Sequence, residues 1–155
     1  MAVVEEELPA IKAYAARHGW GVEWAPDALR LAFLGKHPED ATPIQLIAAV
    51  DGFKALPPAW TFAKPGDTPA SGVFFPRADR SPLDNVSSIF LQDKNVICAP
   101  FNRLAYQEHG GPHNDWQGPS SWLAQKGKGY AFAEKLADMF AIVLAHLQVS
   151  GGMKQ

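Results

Sequence analysis

A chain of 155 residues with 47% hydrophobic and 19% charged residues has the composition of one globular domain, large enough to bury a core without disulfides or metal. Its 14 basic and 16 acidic side chains leave a net charge of -2, which argues against nucleic-acid binding by bulk electrostatics and favours a protein or small-molecule partner. A single cysteine excludes an internal disulfide, no basic stretch followed by an apolar run opens the chain, and nothing approaches the roughly 20 apolar residues that span a bilayer, so a soluble cytoplasmic protein with no membrane or nucleic-acid partner is expected.

From Val3 to His18, the residues Val4, Leu8, Ile11 and Ala15 recur at helical spacing around the acidic run Glu5-Glu6-Glu7, and Gly19 offers a stop. Pro9 lies inside this stretch, so the helix is expected to begin nearer Leu8. Trp20, Val22 and Trp24 alternate with Gly21 and Glu23, Leu29, Leu31 and Phe33 alternate again, and Ile44 to Val50 is an apolar run closed by Asp51-Gly52. These three read as an antiparallel meander.

From Phe53 to Pro82, Pro57-Pro58 and Pro65-Gly66 argue against a central strand or a helix interior. The passage reads as an ordered wrap pinned by Trp60, Phe62, Phe74 and Phe75, with at most one strand around Gly72 to Phe75. Val86 to Leu91 is a further extended candidate, and a short helix is expected near Ser121. A long helix is expected from Tyr130 to Val149, where Phe132 or Ala133, Leu136, Ala137, Phe140, Val143, Leu144 and Leu147 form an apolar stripe ended by Gly151-Gly152.

Between these elements lies NVICAPFNRLAYQEHGGPHNDW, from Asn95 to Trp116, which holds Cys98, His109 and His113 together with Asn102, Asn114 and Asp115. It is too polar for a simple core element and too apolar at its start for disorder. In layout, and in the pieces LPPAWTF at Leu56–Phe62, FFP at Phe74–Pro76 and NVICAP at Asn95–Pro100, the chain resembles the ubiquitin-conjugating (E2, UBC-like) family. Asp115-Trp116 with Pro119 is similar to the tryptophan and proline that follow the cysteine in that family. The His-Pro-Asn triplet that usually precedes the cysteine is absent from Pro82 to Phe90, and the resemblance is closer to the divergent bacterial E2-like branch of ubiquitin-like conjugation operons, some of which act in antiphage defence.

The resemblance implies a single α+β domain over residues 1–155: an N-terminal helix, an antiparallel four-stranded meander, an irregular active-site segment and a C-terminal helix. It further implies that Cys98 accepts a ubiquitin-like modifier as a thioester from an E1-like activating enzyme, docked partly on the N-terminal helix, and passes it to an amine of an acceptor protein. No cofactor is required at this step, because ATP is consumed by the activating enzyme. Such transfer needs an oxyanion donor, for which Asn102 comes first, then Asn114 and Asn95. It also needs a group that orients or deprotonates the amine: His109 or His113, with Asp115 as orienter.

Other readings use the same residues. Cys98 can be an inert core residue of a non-catalytic UBC-like or RWD-like binding module, the asparagines turn or capping residues, and Gly110-Gly111-Pro112 a rigid surface turn. Tyr106 and Trp116 read as packing anchors, and His37 and His146 as solvent or helix-face residues. Cys98, His109, His113 and Asp115 are donors suited to zinc, although Gly110-Gly111-Pro112 breaks the helix that would align the histidines. A cysteine protease or amidase would also use a thiol, a histidine and an acid or amide, although Pro100 disfavours a nucleophile at a helix start.

Overall fold

The computed structural model describes residues 2–67, 73–127 and 131–154. The fold is mixed α+β: helix α1 (Ala2–Arg17), strands β1 (Gly21–Ala25), β2 (Arg30–Lys36), β3 (Pro43–Ala49) and β4 (Ala59–Ala63), an irregular stretch, and helix α2 (Leu136–Val149). The four strands form one antiparallel sheet in sequential order. Among the described residues no helix is long and apolar enough to cross a membrane.

Sheet register explains the core. Val22, Phe33, Leu46 and Phe62 stand in one cross-strand row, and Trp24, Leu31, Ala48 and Trp60 in another. Period-two alternation puts both rows on the same face, and the helices cover it. Phe140 of α2 lies flat against Phe33, with ring centroids 4.3 Å apart and planes 6° apart, and meets Trp20 and Tyr14 edge-on. One aromatic ring thus ties together both helices and the sheet. Gly35 is required here, since a Cβ would stand 2.2 Å from the Trp20 ring.

Several expectations need correction. Helix α1 runs through Pro9 from Ala2 rather than starting at Leu8. Pro9 costs the helix one N–H bond and crowds the carbonyl four residues earlier, but its φ is helical and Val4, Ile11 and Ala15 share a buried face that includes the turn before it. Strand β4 occupies Ala59–Ala63, where the adjacent prolines had argued against a strand. Pro57 and Pro58 precede it, so neither takes a ladder position, and β4 is the last strand of the sheet.

Of the strand expected around Gly72 to Phe75, Gly72 lies outside the described residues, and the paired segment is β5 (Phe75–Pro76). Val86 to Leu91 contributes only β6 (Phe90–Leu91), which pairs with β7 (Val96–Ile97). The expected helix near Ser121 is a 3-10 helix over Pro119–Gln125. Tyr130, the expected start of the last helix, also lies outside the described residues, and α2 begins at Leu136. After Ser150 the chain continues into β8 (Met153–Lys154), antiparallel to β5.

His37 and His146 are buried, at 1% and 4% exposure, not solvent residues. His37 Nδ1 accepts from the Glu39 amide at 3.0 Å, which leaves Nε2–H to donate to Ser150 Oγ at 3.1 Å. Ser150 in turn donates to the Gly152 carbonyl, and the Met153 amide donates to Asp40 Oδ2 at 2.9 Å. The β2–β3 turn therefore clasps the C-terminal strand. His146 Nδ1 accepts from the Ile89 amide at 3.4 Å, joining α2 to the approach to β6.

Gly35→Ala drives a methyl group into the Trp20 ring and is expected to cost about 1–3 kcal/mol, read as a lower urea midpoint. Burial holds His37 below the ordinary imidazole range and His146 down to about 4. Because the unfolded chain takes up these protons near pH ~6.5 and the fold resists them, stability is complete above that pH and falls as pH drops toward 4. Thermal melts should show this decline, and His146→Gln should flatten it.

Candidate functional site

Asn102 fixes the reactive segment to the sheet. Its side-chain oxygen accepts from the Trp60 amide on β4 at 2.9 Å and from the Leu104 amide at 3.2 Å, while its Nδ2 donates to the Ile97 carbonyl at 2.8 Å. Next to it, the Arg103 amide donates to Pro58 O, and the buried Arg103 guanidinium reaches Pro57 O, Asp51 O and Asp51 Oδ2. The segment after β7 thus runs beside β4, with side chains supplying partners that another strand would otherwise provide.

Cys98 projects from this anchored segment. Its amide donates to the Ile89 carbonyl at 2.6 Å, and Ile89 is itself held by His146. The thiol is half-buried. Sγ lies 2.7 Å from His113 Nε2, and His113 Nδ1 lies 3.0 Å from Asp115 Oδ1. Burial, with the Asp115 charge adding to it, pushes the thiol up to about 11, so it is protonated at neutral pH. The hydrogen bond to His113 holds the exposed Asp115 carboxyl below its ordinary range. An ionised Asp115 takes the Nδ1–H, which turns the Nε2 lone pair toward the thiol proton. Thiol, imidazole and carboxylate are therefore joined in series, an arrangement that can serve as nucleophile, base and orienting group.

Backbone bonds on both sides hold the base in place. The His113 amide donates to Ala105 O at 3.1 Å, and His113 O accepts from the Gln107 amide at 3.2 Å. The turn leading there crosses Gly111, where a Cβ would sit 2.2 Å from the Ala105 carbonyl carbon, so only glycine fits. Tyr106 is buried, donates its hydroxyl to Pro100 O at 2.6 Å and packs on Trp116. The Trp116 ring lies flat over the His113 imidazole.

Of the sequence-predicted residues, Cys98, His113 and Asp115 converge, whereas Asn102 and His109 do not join them. Asn102 is fully buried with its amide engaged by backbone groups, so it builds the site rather than donating to an oxyanion. His109 is exposed on a 3-10 turn and faces a shallow cleft of about 350 Å³ shared with Lys94, Val96 and Gly111. Asn114 is exposed, and Asn95 Oδ1 accepts from Lys154 Nζ at 2.5 Å in the β6–β7 turn. Among the described residues no three His, Cys, Asp or Glu side chains are grouped as a metal site would require. Sequence reasoning missed Arg103, whose signal was a lone cation in the run FNRLAY.

Comparisons with family models, with characterised proteins and with solved structures returned no match.

Removing the Asn102 side chain would orphan the buried Trp60 amide and leave the Ile97 carbonyl with only the Ala99 amide as donor. Asn102→Ala is expected to lower unfolding free energy by about 2–4 kcal/mol in urea titrations. An asparagine whose only duty was to meet a substrate oxyanion would leave stability unchanged.

Proposed function

We propose that the protein is an E2-like conjugating enzyme with a UBC-like fold, which carries a ubiquitin-like modifier as a thioester on Cys98 and transfers it to an amine. The in-line arrangement of Cys98, His113 and Asp115 carries this reading. The order of helix, four-stranded meander, irregular segment and helix supports it as the framework for such a site. The partners are an E1-like activating enzyme, the modifier and an acceptor protein, and the setting is the cytoplasm, where ATP drives activation.

In the loading step, His113 Nε2 takes the thiol proton as Cys98 Sγ attacks the carbonyl carbon of the modifier's thioester on the activating enzyme. The new C–S bond forms, the old one breaks, and the departing thiolate recovers a proton from His113. In the discharge step the acceptor amine attacks the same carbon and forms a C–N bond. His113 takes the amine proton and returns it to Cys98 as the thiol leaves. Asp115 holds the imidazole in the tautomer that both steps use.

A second reading rests on the same observation, since a thiol, histidine and carboxylate in line can also hydrolyse an amide or isopeptide bond through an acyl-enzyme. A charging assay separates the two. The protein would be incubated with ATP, a ubiquitin-like modifier and an E1-like activating enzyme, then run on non-reducing gels. The expected product is a thiol-sensitive adduct that Cys98→Ala abolishes and that His113→Ala slows by about a hundredfold or more. If the activating enzyme charges yet no adduct reaches Cys98, the conjugation reading fails, and cleavage of a modifier fusion would establish the hydrolase.

A further inference from the structure

The His113 and Trp116 rings lie parallel, with centroids 3.6 Å apart and planes 1° apart. Two neutral aromatic rings avoid such direct overlay, because their electron-rich faces meet, and prefer offset or edge-on contact. A cation above an indole face is different, because the ring quadrupole attracts it, and tryptophan does so more strongly than tyrosine or phenylalanine. The arrangement therefore suits the imidazolium, the form His113 takes on receiving a proton.

Trp116 is itself backed. Tyr106 packs on it at 5.1 Å, and the Tyr106 hydroxyl donates to the Pro100 carbonyl. Pro100 is two residues beyond Cys98, so a closed circuit runs from thiol to His113, Trp116, Tyr106, Pro100 and back to the thiol. The charged or polar groups at the His113 ring edge are Cys98 and Asp115, and Trp116 covers one ring face.

We propose that Trp116 is a positioning residue for the thiol chemistry: it stabilises the protonated His113 that forms as Cys98 is activated and fixes the ring plane in line with Sγ. Because Trp116 occupies one face of the imidazole, an incoming amine approaches from the other face or the Nε2 edge. This inference deepens the reading of Cys98 as an acyl-accepting nucleophile and rests on that reading for its biological use, although its test needs neither modifier nor activating enzyme.

The test is the rate of Cys98 alkylation by iodoacetamide across pH, in the wild type and in Trp116→Leu, Trp116→Phe and His113→Ala. Trp116→Leu is expected to be slower by roughly tenfold near neutral pH, approaching His113→Ala, with Trp116→Phe recovering most of the loss. The deficit should close as pH rises toward about 11, where the thiol ionises without help from His113. A purely structural role predicts a slower rate at every pH and no rescue by phenylalanine. That outcome, or a Trp116→Leu rate equal to wild type at neutral pH, overturns the proposal. A failed charging assay beside a Trp116-dependent alkylation profile removes conjugation and leaves this positioning role intact.

Discussion

The amide of Asn102 holds together three pieces of chain that local structure alone would leave apart. One oxygen serves the Trp60 amide of β4 and the Leu104 amide of its own turn, and the nitrogen serves Ile97 at the end of β7. The bonds to Trp60 and Ile97 are buried, and there an unmade hydrogen bond costs more than a made one contributes. The position of Cys98, one residue after Ile97, is thus set by an interaction that reaches back 42 residues to the sheet. Arg103 reinforces it by gripping the backbone at Pro57 and Asp51.

Burial keeps the resting thiol protonated, so Cys98 is not a standing thiolate open to adventitious oxidation. The thiol instead faces His113 Nε2, with Asp115 bonded to the other ring nitrogen and Trp116 over the ring. The base comes from a loop with no regular secondary structure beyond short 3-10 turns, yet its backbone is bonded on both sides of His113 and its glycine permits close passage over Ala105. Precision in this site comes from hydrogen bonds and ring contacts rather than from helix or strand geometry.

The C-terminal strand is held by a related device. His37 and Asp40, in the turn between β2 and β3, receive the chain as it leaves α2 and convert the last described residues into a strand against Phe75–Pro76. Burial works against ionisation of Asp40, but the Met153 and Thr42 amides overrule it and hold the carboxyl at about 2. The ionised form is therefore the one the fold selects across the physiological range.

Elements whose patterns are local can be read from residue order alone. Helical spacing from Val4 to Ala15, alternation in the first strands and the apolar stripe of α2 mark surfaces that must be buried, whatever covers them. The chemistry-bearing stretch was legible too, because a lone cysteine followed by histidines and an aspartate in a glycine- and proline-rich run has no simple packing explanation. Strand β4 was not, since Pro57-Pro58 read as an obstacle, and whether a proline blocks a strand depends on which neighbour its missing N–H would have met. The roles of Asn102, His109 and His113 were equally undetermined: an asparagine can cap a turn, brace a sheet or meet a substrate, and only the placement of Trp60 and Ile97 decides which. Tertiary structure made these choices because hydrogen bonds at 3 Å and ring contacts at 4 Å depend on through-space neighbours, and linear spacing carries no record of those across a 40-residue separation.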